Sequence, residues 1–193
     1  LEREISLINT HKEDSVRVAA YESIARHWLP EIIQQFRREH PDVTVDIQMG
    51  SVDEVYRWVL EDRVDMCFAS RQDAPLEWTF LRDDELLAIL PPEYDSGATA
   101  FPVEAFNGQE FLMPSMIRTT QVSDSAVISM VEHGLGVSVL SRLVLRGRQN
   151  SVRALPLEPR AVRELGIAAR PQKELRPIAR QFIRQACEMI EKM

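Results

Sequence analysis

Between Val16 and Ser70 the spacing of apolar residues changes period again and again, and that constrains the fold more than any other feature of the chain. Val16-Arg-Val-Ala-Ala20 reads as a short strand. Ile24, Ala25, Trp28, Leu29, Ile32, Ile33 and Phe36 follow at helical spacing and form one apolar stripe. Pro30 has no backbone N–H to give, so the regular helix should start close before it, and His40-Pro41 should end it. Val43–Met49 alternates as a second strand, and Gly50 turns the chain. Ser51-Val-Asp-Glu54 has the pattern of a capping box, with Val52, Val55, Tyr56 and Val59 behind it at helical spacing. Asp65–Ser70 is a third strand. Strand, helix, strand, helix, strand is the rhythm of an α/β domain with a parallel sheet.

After Ser70 the rhythm changes. Thr79–Leu90 is long and extended, and Pro91-Pro92 stops it. Pro102–Phe106 suits a helical turn and Glu110–Met113 a strand. Ser123 should cap a helix carrying Val127, Ile128, Met130 and Val131, with Gly134 closing it in the left-handed conformation. Val137–Leu140, Val152–Leu157 and Val162–Ala169 read as strands, and Leu143–Arg146 as a short helix. Leu175, Ile178, Ala179, Phe182, Ile183, Ala186 and Ile190 stripe a final helix, with Pro177 near its start. Two α/β lobes follow. The 79–90 and 162–169 strands are the ones long enough to pass between them, and the last helix should return to the first lobe.

Composition narrows the function classes. The 193 residues carry a net charge of −7, which speaks against a free-standing nucleic-acid binder. The charge is uneven: residues 1–141 hold 11 Lys/Arg against 25 Asp/Glu, whereas 142–184 hold 11 Lys/Arg against Glu158, Glu164 and Glu174. Such halves are either two solvated faces or a surface for self-association. Cys67 and Cys187 form no CxxC; Cys67, in the run Asp65–Ala69, reads as a small core residue. Such cysteine use fits a reducing, cytoplasmic setting. No run approaches the roughly 20 apolar residues that span a membrane. The start at Leu1 has no signal core and no initiator Met, so the expectation is a piece of a longer protein.

A search for catalytic chemistry names no nucleophile, base or metal, and no cofactor is expected. His11, His27, His40 and His133 lack ligand spacing and read as structural. Gly134-Leu-Gly136 is a helix stop, not a dinucleotide fingerprint. A binding site remains. In parallel sheets ligands sit at the carboxyl ends of strands, beside helix N-termini. The candidates there are Tyr21 and Ser23 after the first strand, Gly50 and Ser51 after the second, and Ser70 and Arg71 after the third. Pro114, Ser115 and Ser123 are the candidates in the second lobe. Plain helix capping explains Ser51 and Ser123 equally, and Arg71 suits an ordinary surface position as well.

The ordered set resembles the effector-binding domain of LysR-type transcriptional regulators. The pieces are Val16–Ala20, Trp28-Leu-Pro30, Phe36, His40-Pro41, Val43–Ser51, Asp65–Phe68 and Ser129–Leu140, and the resemblance runs from about Val16 to the C-terminus. It implies two Rossmann-like subdomains joined by two crossover strands, the type 2 periplasmic-binding-protein-like plan, with a small effector in the cleft between them. It assigns 16–88 plus 164–193 to subdomain I, 89–163 to subdomain II, and 1–15 to the end of a linker helix and linker. It also implies cytoplasmic homodimers or tetramers that touch DNA only through a separate winged helix-turn-helix, and no membrane. By position it carries effector contact onto Ser23, Ser51, Pro114 and Ser115. One departure stands out: Pro114-Ser115-Met116 runs almost at once into Ile117–Val122, where the family places a helix and its loops. The helix N-termini favour a carboxylate effector. A periplasmic-type solute-binding protein for a small polar or anionic molecule is the rival reading, and an enzyme on the same scaffold a distant third.

Overall fold

A computed structural model describes residues 15–94, 97–108, 123–148 and 151–192. Two units divide the chain: the described residues up to Arg82 with those from Glu164 onward, and Asp83–Arg163. Two strands pass from one unit to the other, β4 (Glu77–Leu90) at Arg82/Asp83 and β8 (Val162–Ala169) at Arg163/Glu164.

The first unit is built on β2 (Thr44–Met49), β1 (Ser15–Ala20), β3 (Met66–Ser70) and β8, in that order across the sheet. β1 runs parallel to both neighbours, with Val18 opposite Ile47 on one side and Met66 on the other. β3 pairs antiparallel with β8, Phe68 facing Ile167. The chain crosses from β1 to β2 through α1 (Glu22–His27) and α2 (Leu29–Glu39). The stripe read as one helix is therefore two, separated at Trp28, because Pro30 lacks an N–H for the carbonyl four residues back and its ring crowds that turn. α3 (Val52–Leu60) returns the chain to β3.

The sheet of this unit is covered on both faces. Ala19, Cys67, Ala69 and Ala168 pack against Val55, Tyr56 and Val59 of α3. On α6 (Pro177–Ile190), Phe182 meets Phe36 of α2 edge-on at 5.0 Å and Phe68 of β3 at 6.5 Å. Small residues on one face and large aromatics on the other explain why β3 reads as a continuous apolar run and not as a clean alternation.

The second unit centres on the later half of β4, paired antiparallel with both β6 (Ser138–Ser141) and β7 (Arg153–Glu158). β5 (Phe101–Pro102) runs parallel to β7. Leu87 and Ile89 pack with Val127, Ile128 and Val131 of α4 (Asp124–Glu132), and Ala88 and Leu90 pack on the other face with Phe101 and Leu157. Gly134 follows α4 at φ +71°, the left-handed stop expected of it. Pro102–Phe106 forms a 3-10 turn over Val103–Phe106, and α5 (Arg142–Leu145) follows β6. Asp84 is buried and accepts from Arg163 at 2.8 Å and from the Leu143 N–H at 2.9 Å, beside the point where β4 enters this unit. The expected linker-helix end and linker at 1–15, apart from Ser15, and the expected strand at 110–113 lie outside the described residues.

Candidate functional site

The carboxyl ends of β1 and β3 meet through hydroxyl groups. The Tyr21 hydroxyl lies 3.1 Å from Ser70 Oγ and also accepts the Ser70 N–H at 3.2 Å. Parallel pairing of β1 with β3 brings their ends side by side, so two residues 49 apart in sequence touch. Arg71 comes next. Its backbone N–H donates to the Glu164 carbonyl at 3.2 Å, while its side chain is 65% exposed and its guanidinium sits 3.5 Å from the Glu164 carboxylate. At that distance and exposure the ion pair contributes little, and the guanidinium stays accessible.

The other candidates divide by role. Ser23 is buried in the first turn of α1. A Cβ at Gly50 would sit 2.7 Å from the Trp58 ring, so glycine is what lets β2 turn tightly onto α3. Ser51 takes part in the capping box, in which Glu54 accepts the Ser51 N–H at 2.9 Å and its hydroxyl at 2.8 Å. Those hydrogen bonds hold the Glu54 carboxyl below the usual carboxylate range. Ser123, in the second unit, caps α4 by accepting the Ala126 N–H at 3.3 Å. Pro114 and Ser115 lie outside the described residues.

Tyr56 belongs to this neighbourhood although its sequence position marks it only as part of a helical stripe. Its hydroxyl donates to the Ser70 carbonyl at 3.0 Å and accepts the Gln72 N–H at 3.1 Å. Burial, above all, raises its phenol pKa, so the group is a neutral hydrogen-bonding bridge. The available signal was chemical: among Val52, Val55 and Val59 it alone carries a polar tip, and a buried Tyr hydroxyl needs a partner.

The amino ends of the same strands carry different chemistry. Asp65, almost fully buried, accepts from the Arg17 N–H and guanidinium, each at 2.8 Å, and from Arg176 at 2.7 Å. Asp62 bridges Arg17 at 3.0 Å and Arg170 at 2.6 Å. Burial would raise the Asp62 carboxyl, but the two arginines outweigh it and hold the carboxyl below its ordinary range. Arg176 also donates to the Ser15 carbonyl at 2.6 Å, which fastens the entry to β1.

Among the described residues no group of three His, Cys, Asp or Glu side chains is placed to hold a metal. His133 pairs through Nδ1 with the Ser129 carbonyl at 2.7 Å, and His40 stacks on Phe36 at 4.6 Å. Cys67 is fully buried, and burial pushes its thiol up to about 12, the behaviour of an inert core residue.

Comparison with known proteins supplies the context for this geometry. A family model described as "LysR substrate binding domain" matches residues 9–124 and 117–189. In Bacillus subtilis (strain 168), the uncharacterized HTH-type transcriptional regulator YoaU is 23% identical over 201 residues, spanning 94% of this chain and 68% of that protein. The regulatory domain of CcmR from Synechocystis PCC6803, solved in complex with 2-PG, superposes with a TM-score of 0.81 at 18% identity, covering 93% of this chain and 98% of that one. The effector-binding domain of QuiR, solved with shikimate, superposes with a TM-score of 0.79 at 16% identity, covering 92% and 97%. At these identities the two structures speak for the fold, which is the one the family resemblance implied.

Proposed function

The chain belongs to the LysR substrate-binding-domain family, and on that premise we propose that it senses a small anionic effector for a LysR-type transcriptional regulator. The observation that carries the anionic reading is Arg71: its guanidinium is left 65% exposed, one residue beyond the Ser70 whose Oγ pairs with the Tyr21 hydroxyl at the carboxyl ends of parallel strands. A carboxylate or phosphate there would take charge-assisted hydrogen bonds from the guanidinium and neutral ones from the hydroxyls. Tyr21, Ser23, Gly50, Ser51, Ser70 and Arg71 form the proposed set in the first unit. For the second unit the proposal names Ser123, from its place at a helix start, and Pro114 and Ser115, from the family resemblance.

An effector changes transcription only through a difference in its affinity for two states of the regulator. DNA contact would belong to another part of the full-length protein, because this chain is acidic overall. No catalytic role is proposed, and a cytoplasmic setting follows from the regulatory role. Among the described residues no helix is long and apolar enough to cross a membrane. The family and the regulators it resembles favour this reading over a periplasmic solute carrier.

Association with a second copy is part of the proposal. β2 is the outermost strand of its sheet, and Ile47 and Met49 on it are 44% and 62% exposed. An edge strand carrying exposed apolar side chains is a ready pairing surface. Sedimentation at micromolar concentration should show at least a dimer; a pure monomer would remove this part of the reading. The function itself is tested by screening small carboxylates, phosphates, and neutral and cationic compounds against the full-length regulator, reading thermal shift and operator affinity together. A ligand that raises the melting temperature and changes DNA affinity supports it. A screen in which only neutral or cationic compounds bind overturns the anionic effector.

A further inference from the structure

The proposal that Arg71 receives an anion leaves open what holds the arginine ready, and the structure contains an answer in the helix behind it. Tyr56 places a single hydroxyl oxygen across residue 71. It donates to the Ser70 carbonyl at 3.0 Å and accepts the Gln72 N–H at 3.1 Å. Those two groups belong to the peptide planes on either side of Arg71, so one phenol pins both. The remaining backbone donor, the Arg71 N–H, goes to the Glu164 carbonyl at 3.2 Å on β8. The backbone of Arg71 is therefore fixed from three directions while its side chain is left to solvent. Arrangements of this kind lower the ordering cost of binding, since the main chain is already in place.

The phenol is itself immobile. Tyr56 is buried on α3 among Val55, Val59, Cys67 and Ala69. Ser70 is held a second time by the Tyr21 hydroxyl. Facing the guanidinium, the Glu164 carboxylate at 3.5 Å is the acidic group that an incoming anion must displace.

We propose that Tyr56 is the positioning residue of the anion site, presetting Arg71 through the peptide groups of Ser70 and Gln72, and that Glu164 is the internal counter-ion which a ligand carboxylate or phosphate replaces. This rests on the reading of the domain as an anion sensor and adds two residues that the strand-end pattern does not contain. Tyr56 touches no ligand in this scheme; it acts through Arg71.

Titration of this chain with inorganic phosphate and with acetate tests it, following the Arg71 Nε–H signal by NMR. Wild type should show a saturable shift. Glu164→Gln should bind about 2–5-fold more tightly, the range expected when one exposed competing charge is removed. Tyr56→Phe should bind about 5–10-fold more weakly, as fits the loss of a hydroxyl bridge. It should also speed hydrogen exchange at the Gln72 amide. Arg71→Ala, followed at the Ser70 and Gln72 amide signals, should abolish the phosphate response. A Tyr56→Phe variant with a lower melting temperature but wild-type anion affinity would make Tyr56 a packing residue only and overturn the inference. So would an Arg71 signal that saturates with neither anion in both wild type and Glu164→Gln. The two readings fail separately. An effector that regulates the full-length protein but binds Arg71→Ala normally would sink this inference and leave the sensor function standing. A full-length protein that answers to no effector would sink the function itself.

Discussion

At the amino ends of β1 and β3, Arg17, Arg170 and Arg176 surround Asp62 and Asp65, and the acid groups are bonded from several sides. At the carboxyl ends of the same strands, two phenols and a serine share neutral hydrogen bonds, and Arg71 keeps its charge exposed. The strands are shared, so the difference lies in how polar groups are satisfied. Charge at the amino end is turned inward and holds the chain together. Charge at the carboxyl end is turned outward from a fixed backbone, which suits the proposed anion site.

The strongest way to break this contrast is Asp65→Ala. It leaves two guanidinium groups beside a buried site without their carboxylate, and should cost about 3–5 kcal/mol in urea unfolding. The anion response at Arg71 should survive in whatever fraction stays folded; its loss would mean that the two ends are not independent. Gly50→Ala should cost about 1–3 kcal/mol, because the new Cβ meets the Trp58 ring. A melting temperature equal to wild type would show that α3 can shift away from β2.

Acid should weaken the amino end. Asp62 has its carboxyl lowered by Arg17 and Arg170, so its contribution is present above the ordinary carboxylate range and is lost as pH falls through the lowered value. With Asp62 partly exposed, the effect on stability should stay below about 1 kcal/mol and appear below about pH 4. Asp62→Asn should remove that part of the acid sensitivity in a pH series of unfolding curves. The smallest effect on stability belongs to Arg71→Ala, within about 0.5 kcal/mol, since its side chain makes one exposed ion pair. A larger loss would mean that Arg71 is a structural residue and that the two ends are less different than their geometry indicates.

Much of the fold was legible because burial imposes a period. The stripe from Ala179 to Ile190 became the buried face of α6, whereas Val43–Met49, which also alternates, became β2 with Ile47 and Met49 exposed. Ser51-Val-Asp-Glu54 and Gly134 marked helix ends through local hydrogen bonding and backbone freedom, which depend on near neighbours alone. The break at Trp28 was less legible. The apolar stripe runs straight across it, and only the demand of Pro30 on the preceding turn divides α1 from α2.

The positions of the proposed site were legible in outline, and their hydrogen-bond connections were not. Tyr21, Ser70 and Arg71 could be picked out because strand ends in a parallel sheet are predictable places. Gly50 could be picked out as well, but its role is packing against Trp58, which the pattern of glycine and serine does not reveal.

The sequence by itself determined the order of strands and helices, the capping residues and the hydroxyl groups at the strand ends, since each depends on residues within a few positions. Tertiary structure alone decided which polar groups meet. Tyr56 reaches Ser70 across 14 residues, Arg71 reaches Glu164 across 93, and Arg176 reaches Asp65 across 111. Periodicity records how deeply a side chain is buried but not which partner its polar tip finds. That partner is set by sheet order and register, which bring distant segments within hydrogen-bonding distance.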